Sequence, residues 1–295
     1  MRLYLDTADL INLLERESAG IKREDFRALL LKGRHSIVLS FQTICELMAP
    51  LWEPNSTTIV TSTMNKLEEL PHEWIDLVRL PNLEVGEALQ AFKQGRKYNP
   101  VSPNVPNYLA TIINAPDLLK LALQYPLSEA VFDLWRSGTF DPRTQHQRHV
   151  HTYRSLMDED RKLVATLGDK SKARKQLFAT RVVERIKYFK LYAPEDENNE
   201  TLFTKCSEEI TQEKEWCPGT KIVFSTFHSL MDNLGDKLQD GDLGDLSHTH
   251  ALPYVDWFTT DRRIAGHISA ASKLLGTNHH EKLVRNIREL VKRLS

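Results

Sequence analysis

Two rhythms of apolar positions organise the chain. Residues 2–5 (Arg-Leu-Tyr-Leu) form a short strand-like run into Asp6, and residues 7–15 then place Leu10, Leu13 and Leu14 on one face of a helix that Thr7 is suited to cap. A second helical stretch over Ile21 to Leu31 leads to the compact β-branched run Ser36-Ile37-Val38-Leu39-Ser40. Phe41 to Met48 returns to helical spacing before Pro50. Trp74 to Leu80 reads as a third strand, Asp256 to Thr260 as a fourth and Glu281 to Arg285 as a fifth. Strands separated by helices predict an α/β fold with a parallel sheet covered on both faces.

Between residues 84 and 215 the strand rhythm is absent. Apolar positions recur instead at helical spacing, as in Leu118, Leu119, Leu121 and Leu123, then Val131, Phe132, Leu134 and Trp135. The pattern predicts one discontinuous α/β domain, residues 1–83 and 216–295, interrupted by a mainly helical insertion over 84–215. Within the insertion, the prolines of residues 99–106 predict an ordered loop or extended connector.

Composition changes this picture little until charge is read locally. The 295 residues carry 12 glycines and 13 prolines and are 41% hydrophobic, which excludes a low-complexity or disordered chain. The three cysteines, without CxxC spacing, predict neither a disulfide framework nor a cysteine zinc site, and suit a reducing compartment. Asp6 arrives too early for a signal-peptide apolar region, and no run approaches a membrane span. The expectation is a cytoplasmic protein without a membrane partner. The net charge of -1 excludes a polybasic coat protein but hides a separation. Residues 161–190 hold ten basic residues against two acids, a balance of +8, and residues 195–215 hold eight acids against two lysines, a balance of -6.

Acids stand where strands end. Asp6 follows the first strand, Glu46 lies one and a half turns into the helix after the second, and Asp261 follows the fourth. In a parallel sheet these ends face one crevice. Asp242 and Asp245, three residues apart, can share a helix face and supply another side of the cluster. Carboxylates gathered without lysines repel unless a cation sits among them. Mg2+ or Mn2+ suits oxygen ligands, and such an ion activates water and stabilises charge on a phosphodiester.

Three segments together resemble the PIN domain nuclease family: Leu3 to Ile11 with Asp6, Ser40 to Leu47 with Glu46, and Asp245 to Asp261. The resemblance covers residues 1–80 and 217–295. It implies a three-layer α/β/α fold and a Mg2+ or Mn2+ dependent centre that hydrolyses RNA as an endoribonuclease. Residue by residue, it assigns metal ligation to Asp6, Glu46, Asp245 and Asp261, with Asp242 competing with Asp245 and with Asp256 as support. The insertion has no counterpart in a minimal PIN domain. RNA is favoured over DNA as substrate. A structure-selective DNA nuclease and a non-catalytic nucleic-acid or protein-binding module are the alternatives, and a regulatory protein partner or homo-oligomer is left open.

Supporting candidates are weighed against plainer roles. Thr7 and Ser40 can orient ligands or cap helices; His248, one turn from Asp245, can touch the site or pack at a helix end. Arg262 and Arg263 beside Asp261, and Lys172, Arg174 and Lys175 in the basic segment, are candidate phosphate contacts. Tyr188, Phe189 and Tyr192 are candidate base-stacking groups, with a core role as the plainer one. His146, His149 and His151 have no acidic or cysteine partner at ligand spacing and are set aside as a metal site.

Overall fold

The computed structural model describes residues 1–16, 20–48, 57–105, 160, 162, 166, 170–232 and 240–295. The run from Leu118 to Trp135, Pro106 and the histidines at 146, 149 and 151 lie outside them. Strand β1 (Arg2–Tyr4) leads into α1 (Thr7–Ile11) and a π turn, Asn12–Arg16; α2 (Arg23–Gly33), β2 (Ser36–Ser40), α3 (Phe41–Leu47), α4 (Thr57–Glu68) and β3 (His72–Ile75) follow. Then come α5 (Leu80–Gln94), β4 (Asn104–Val105), α6 (Lys170–Tyr188), α7 (Glu200–Gln212), α8 (Pro218–Asp232) and α9 (Asp240–Thr249). The chain closes with β5 (Trp257–Thr259), α10 (Arg262–Leu275), β6 (Leu283–Val284) and α11 (Ile287–Leu294).

The sheet order is β4-β3-β2-β1-β5-β6, with every pair parallel except β3 with β4. Strand residues alternate between two cores. Leu3, Leu5, Ile37, Leu39 and Trp74 pack with α2, α4 and α11 on one face, while Tyr4, Val38, Ile75 and Phe258 pack with α8 and α10 on the other. Side chains two apart point the same way, so covering both faces requires apolar residues at every strand position. That explains why Ser36–Ser40 reads as a continuous run rather than an alternating one.

Two features depart from the expectation. The third strand is His72–Ile75, not Trp74–Leu80, because Asp76 turns the chain: its Oδ1 accepts from Val78 N at 3.1 Å and Arg79 N at 2.9 Å, and α5 begins at Leu80. The apolar rhythm runs through this turn because Leu77 and Leu80 enter the second core. The interval 84–215 also contains a strand. β4 pairs antiparallel with β3 through Trp74↔Val105 and Ile75↔Asn104, at an edge that tolerates the neighbouring prolines.

A third core joins Val85, Ala88 and Leu89 of α5 to Phe178, Val182 and Ile186 of α6 and to Phe203, Cys206 and Ile210 of α7. Residue 84 falls inside α5, so this helix reaches from the second core into the third. Glu84 fixes it there. Fully buried, its carboxylate accepts from Gly219 N and Thr220 N at 2.7 Å each, from Thr220 Oγ1 at 2.6 Å and from the Tyr254 hydroxyl. It thereby caps the first amides of α8 with a negative charge. All three cysteines are free thiols. No helix among the described residues is long and apolar enough to cross a membrane.

Candidate functional site

The chain runs from β1 outward through β2 to β3 and β4, then crosses back to β5 on the other side of β1. The carboxyl ends of β1 and β5 therefore flank the point where strand order reverses, the usual place for a crevice in an open α/β sheet. Asp6 and Asp261 stand there as helix caps. Asp6 Oδ1 accepts from Ala8 N at 3.0 Å, and Asp261 Oδ1 accepts from Arg263 N at 2.6 Å and Ile264 N at 2.8 Å. The cap of α1 is thus Asp6 and not Thr7, since Asp6 leaves the strand with a non-helical ψ of 142° and its own side chain takes the free amide of Ala8. Asp6 N in turn donates to Thr259 Oγ1 at 2.7 Å, which ties the two strand ends together.

Thr7 has another use. Its hydroxyl donates to Glu46 Oε2, while Gln42 Nε2 donates to Oε1 at 2.8 Å and His248 Nε2 lies 3.1 Å from both oxygens. The other ring nitrogen of His248, Nδ1, meets the Tyr4 hydroxyl, which also lies 2.9 Å from Ser40 Oγ and 3.3 Å from Thr43 Oγ1. Ser40 caps α3 by accepting from Thr43 N at 3.2 Å. A buried polar chain thus runs from the β2–α3 junction through Tyr4 and His248 to Glu46, joining residues 244 positions apart. Tyr4 itself is stacked on Phe258, with ring centroids 5.1 Å apart and planes 10° apart.

Gly244 lets α9 come close to this arrangement. A Cβ there would stand 2.9 Å from Glu46 Oε1. The next residue, Asp245, is half-buried and feels the negative charges of Asp6, Asp261 and Glu46. Burial first and those charges next push its carboxyl up to about 7, against the partial relief of His248. Asp6 is raised too, mainly by burial, with Glu46 and Asp261 adding to it. Glu46 goes the other way: burial would raise it, but the charge of His248 and its hydrogen bonds hold it down to about 2. His248, although buried, is raised well above the ordinary imidazole value by Tyr4 and Glu46. The cluster is therefore three aspartates around one internally neutralised Glu46–His248 pair.

Other candidates fall elsewhere. Asp242 is buried and ion-paired with Arg263, so these two residues occupy each other. Arg262 is exposed beside Asp261. Asp256 sits at the opposite end of the sheet: its Oδ2 accepts from Arg2 N at 2.7 Å, at the start of β1, which removes it as support for the acids at the strand ends. Arg174 is paired with Asp232, while Lys172 and Lys175 lie exposed on α6. Lys187 and Glu200 pair at 2.5 Å, so the basic and acidic segments meet across α6 and α7. Tyr188 is 81% exposed and Phe189 is exposed beside it, whereas Tyr192 packs on Phe203 with centroids 5.2 Å apart.

No family model matches the sequence, and neither the curated proteins nor the solved structures contain a significant match to it.

By donor chemistry the acids suit a hard divalent cation: every candidate ligand is a carboxylate, and the neighbouring charges that add to the effect of burial at Asp245 are offset by added positive charge. Among the described residues, no three His, Cys, Asp or Glu side chains are drawn together closely enough to hold a metal ion as they stand. Sequence reading missed Tyr4, Gln42, Gly244 and Thr259. Tyr4 left one trace, a hydroxyl-bearing ring where an all-apolar strand would place an aliphatic residue.

Proposed function

We propose that the chain is a PIN-like, Mg2+ or Mn2+ dependent nuclease that hydrolyses phosphodiester bonds, with RNA as the favoured substrate. One observation supports this reading: Asp6 and Asp261 cap helices at the strand ends where strand order reverses, and Asp245 lies within electrostatic reach of both, its carboxyl raised by burial first and by their charges next. The resemblance of the segments around Asp6, Glu46 and Asp245 to Asp261 supports the same reading.

In this proposal Asp6, Asp245 and Asp261 would hold the ion. When bound, the ion would supply an activated water and charge neutralisation at the phosphate. Glu46 acts as a positioning residue. With His248, Thr7 and Gln42 on its carboxylate it fixes α3 against α9, and through α9 it sets the place of Asp245. Arg262, exposed beside Asp261, is available for a phosphate oxygen of the substrate.

Cleavage of end-labelled RNA and DNA of matched sequence, with Mg2+, Mn2+ or EDTA, tests this. Metal-dependent cleavage of RNA that fails with Asp6→Asn is expected. Preference for DNA would change the substrate, and cleavage that survives EDTA or Asp6→Asn would remove the proposal.

A further inference from the structure

Away from the acidic cluster, the described part of α6, α8, the end of α7 and the end of α10 line a half-open cavity of about 280 Å3. It lies beside Leu274, twelve residues along α10 from Arg262, so the rise of the helix puts it about 18 Å from the candidate site. Its chemistry is one-sided. Lys170, Arg174, Lys175 and Lys221 line it together with the hydroxyl residues Ser171, Thr211 and Ser225, and among the described residues no lining residue is acidic. The carboxylate of Asp232 partly offsets Arg174 from outside.

The walls are apolar. Phe178 and Phe224 meet edge to face with centroids 5.0 Å apart, and Leu274 and Leu275 stand opposite. His228, 2% exposed, also lines the cavity, and its Nε2 is buried without a hydrogen-bond partner; Asp160 Oδ2, at 3.9 Å, is too distant. Burial, with the charges of Arg174 and Arg181, holds this imidazole down to about 3 and so neutral. A buried polar atom left unpaired costs stability, and such atoms often mark where a ligand or water completes the bonding.

We propose that this cavity binds a small organic anion, its phosphate or carboxylate group held by Lys170, Arg174 and Lys175 and its apolar body lying against Phe178 and Phe224. A purely inorganic anion would leave the apolar walls unused, and a neutral hydrophobe would make no use of the exposed Lys170 and Lys175. The volume sits just below the range of about 300–1,000 Å3 usual for ligand pockets, which limits the occupant to a compact molecule. The inference is independent of the nuclease reading, because it uses none of the acids at the strand ends.

The test is a fluorescence titration with 8-anilinonaphthalene-1-sulfonate, an anion with an aromatic body. Saturable one-to-one binding is expected, with Kd raised at least tenfold in the variant carrying Lys170→Gln and Lys175→Gln. Both lysines are exposed, so an unchanged circular-dichroism melt should show that the variant keeps the fold. Displacement by adenosine monophosphate identifies a phosphate ligand, and displacement by decanoate a carboxylate. Binding that does not saturate, or is equal in the variant, overturns the proposal. So does displacement by an RNA oligonucleotide but by neither small anion, since the surface would then belong to nucleic acid.

Discussion

Asp245 provides the sharpest test of the acidic cluster, because its charge can be removed without changing its shape. In the fold its carboxyl is raised from 3.8 to about 7. A group with a raised folded value binds its proton more tightly in the native state, so the native state loses stability as pH rises from about 4 through 7. Three pH units at about 1.4 kcal/mol each set an upper figure of about 4 kcal/mol, which water reaching this half-buried side chain will reduce. Asp245→Asn removes the titration. At pH 8 in EDTA the variant should be more stable than the parent by about 2–4 kcal/mol, and at pH 4 the two should agree. With a urea slope of about 3 kcal/mol/M, the difference is about 1 M in midpoint, readily measured by circular dichroism or tryptophan fluorescence. Comparing parent and variant at each pH cancels the titration of distant groups. Millimolar Mg2+ or Mn2+ should then stabilise the parent at pH 8 and the variant much less. A difference that ignores pH, or an Asn variant that is the less stable protein at pH 8, would refute the argument that burial and the neighbouring acids disfavour the charged form of Asp245.

Gly244→Ala should gain about 1 kcal/mol in helix propensity yet place its methyl 2.9 Å from Glu46 Oε1, an atom held by Gln42 and His248. Near-neutral stability by thermal melt, with nuclease activity down at least tenfold, is the expected pair of results. Glu46→Gln should act on the acid limb. Because the folded value is depressed to about 2, Glu46 contributes stability above its unfolded value of 4.5 that is lost as pH falls through 2. The variant should flatten acid unfolding between pH 5 and 2, worth about 1–2 kcal/mol after solvent screening of a side chain 32% exposed. Glu84→Ala strands the amides of Gly219 and Thr220 and should cost about 3 kcal/mol or more, with hydrogen exchange at those two amides rising first.

The sheet was readable where local rules act alone. Ser36–Ser40 appears as a strand because both of its faces are buried, and the acids at strand ends appear because a strand that feeds a helix needs a capping side chain. Capping and clustering then proved compatible, since the hydrogen-bonded caps at Asp6 and Asp261 use Oδ1. What spacing could not reveal depends on partners far along the chain. Asp242 competes with the favoured Asp245 on one helix face until Arg263, from α10, pairs with Asp242. The role of Tyr4 needs His248, and the end of β3 needs the turn made by Asp76. β4 is two residues long and has no rhythm of its own; its pairing with β3 defines it.

The central place of β1 has a consequence during synthesis. β1 is among the first segments of this sequence to be made, but its neighbour β5 comes some 250 residues later, as the 253-residue separation of the bond from Asp6 N to Thr259 records. At about 5–20 residues per second, a ribosome leaves one side of β1 unpaired for on the order of ten seconds or more. Over that interval the nascent chain carries an open sheet edge that needs cover from a chaperone or from its own later segments. A chain released early lacks Asp245 and Asp261 altogether, so a truncated product should be both aggregation-prone and unable to assemble the acidic cluster.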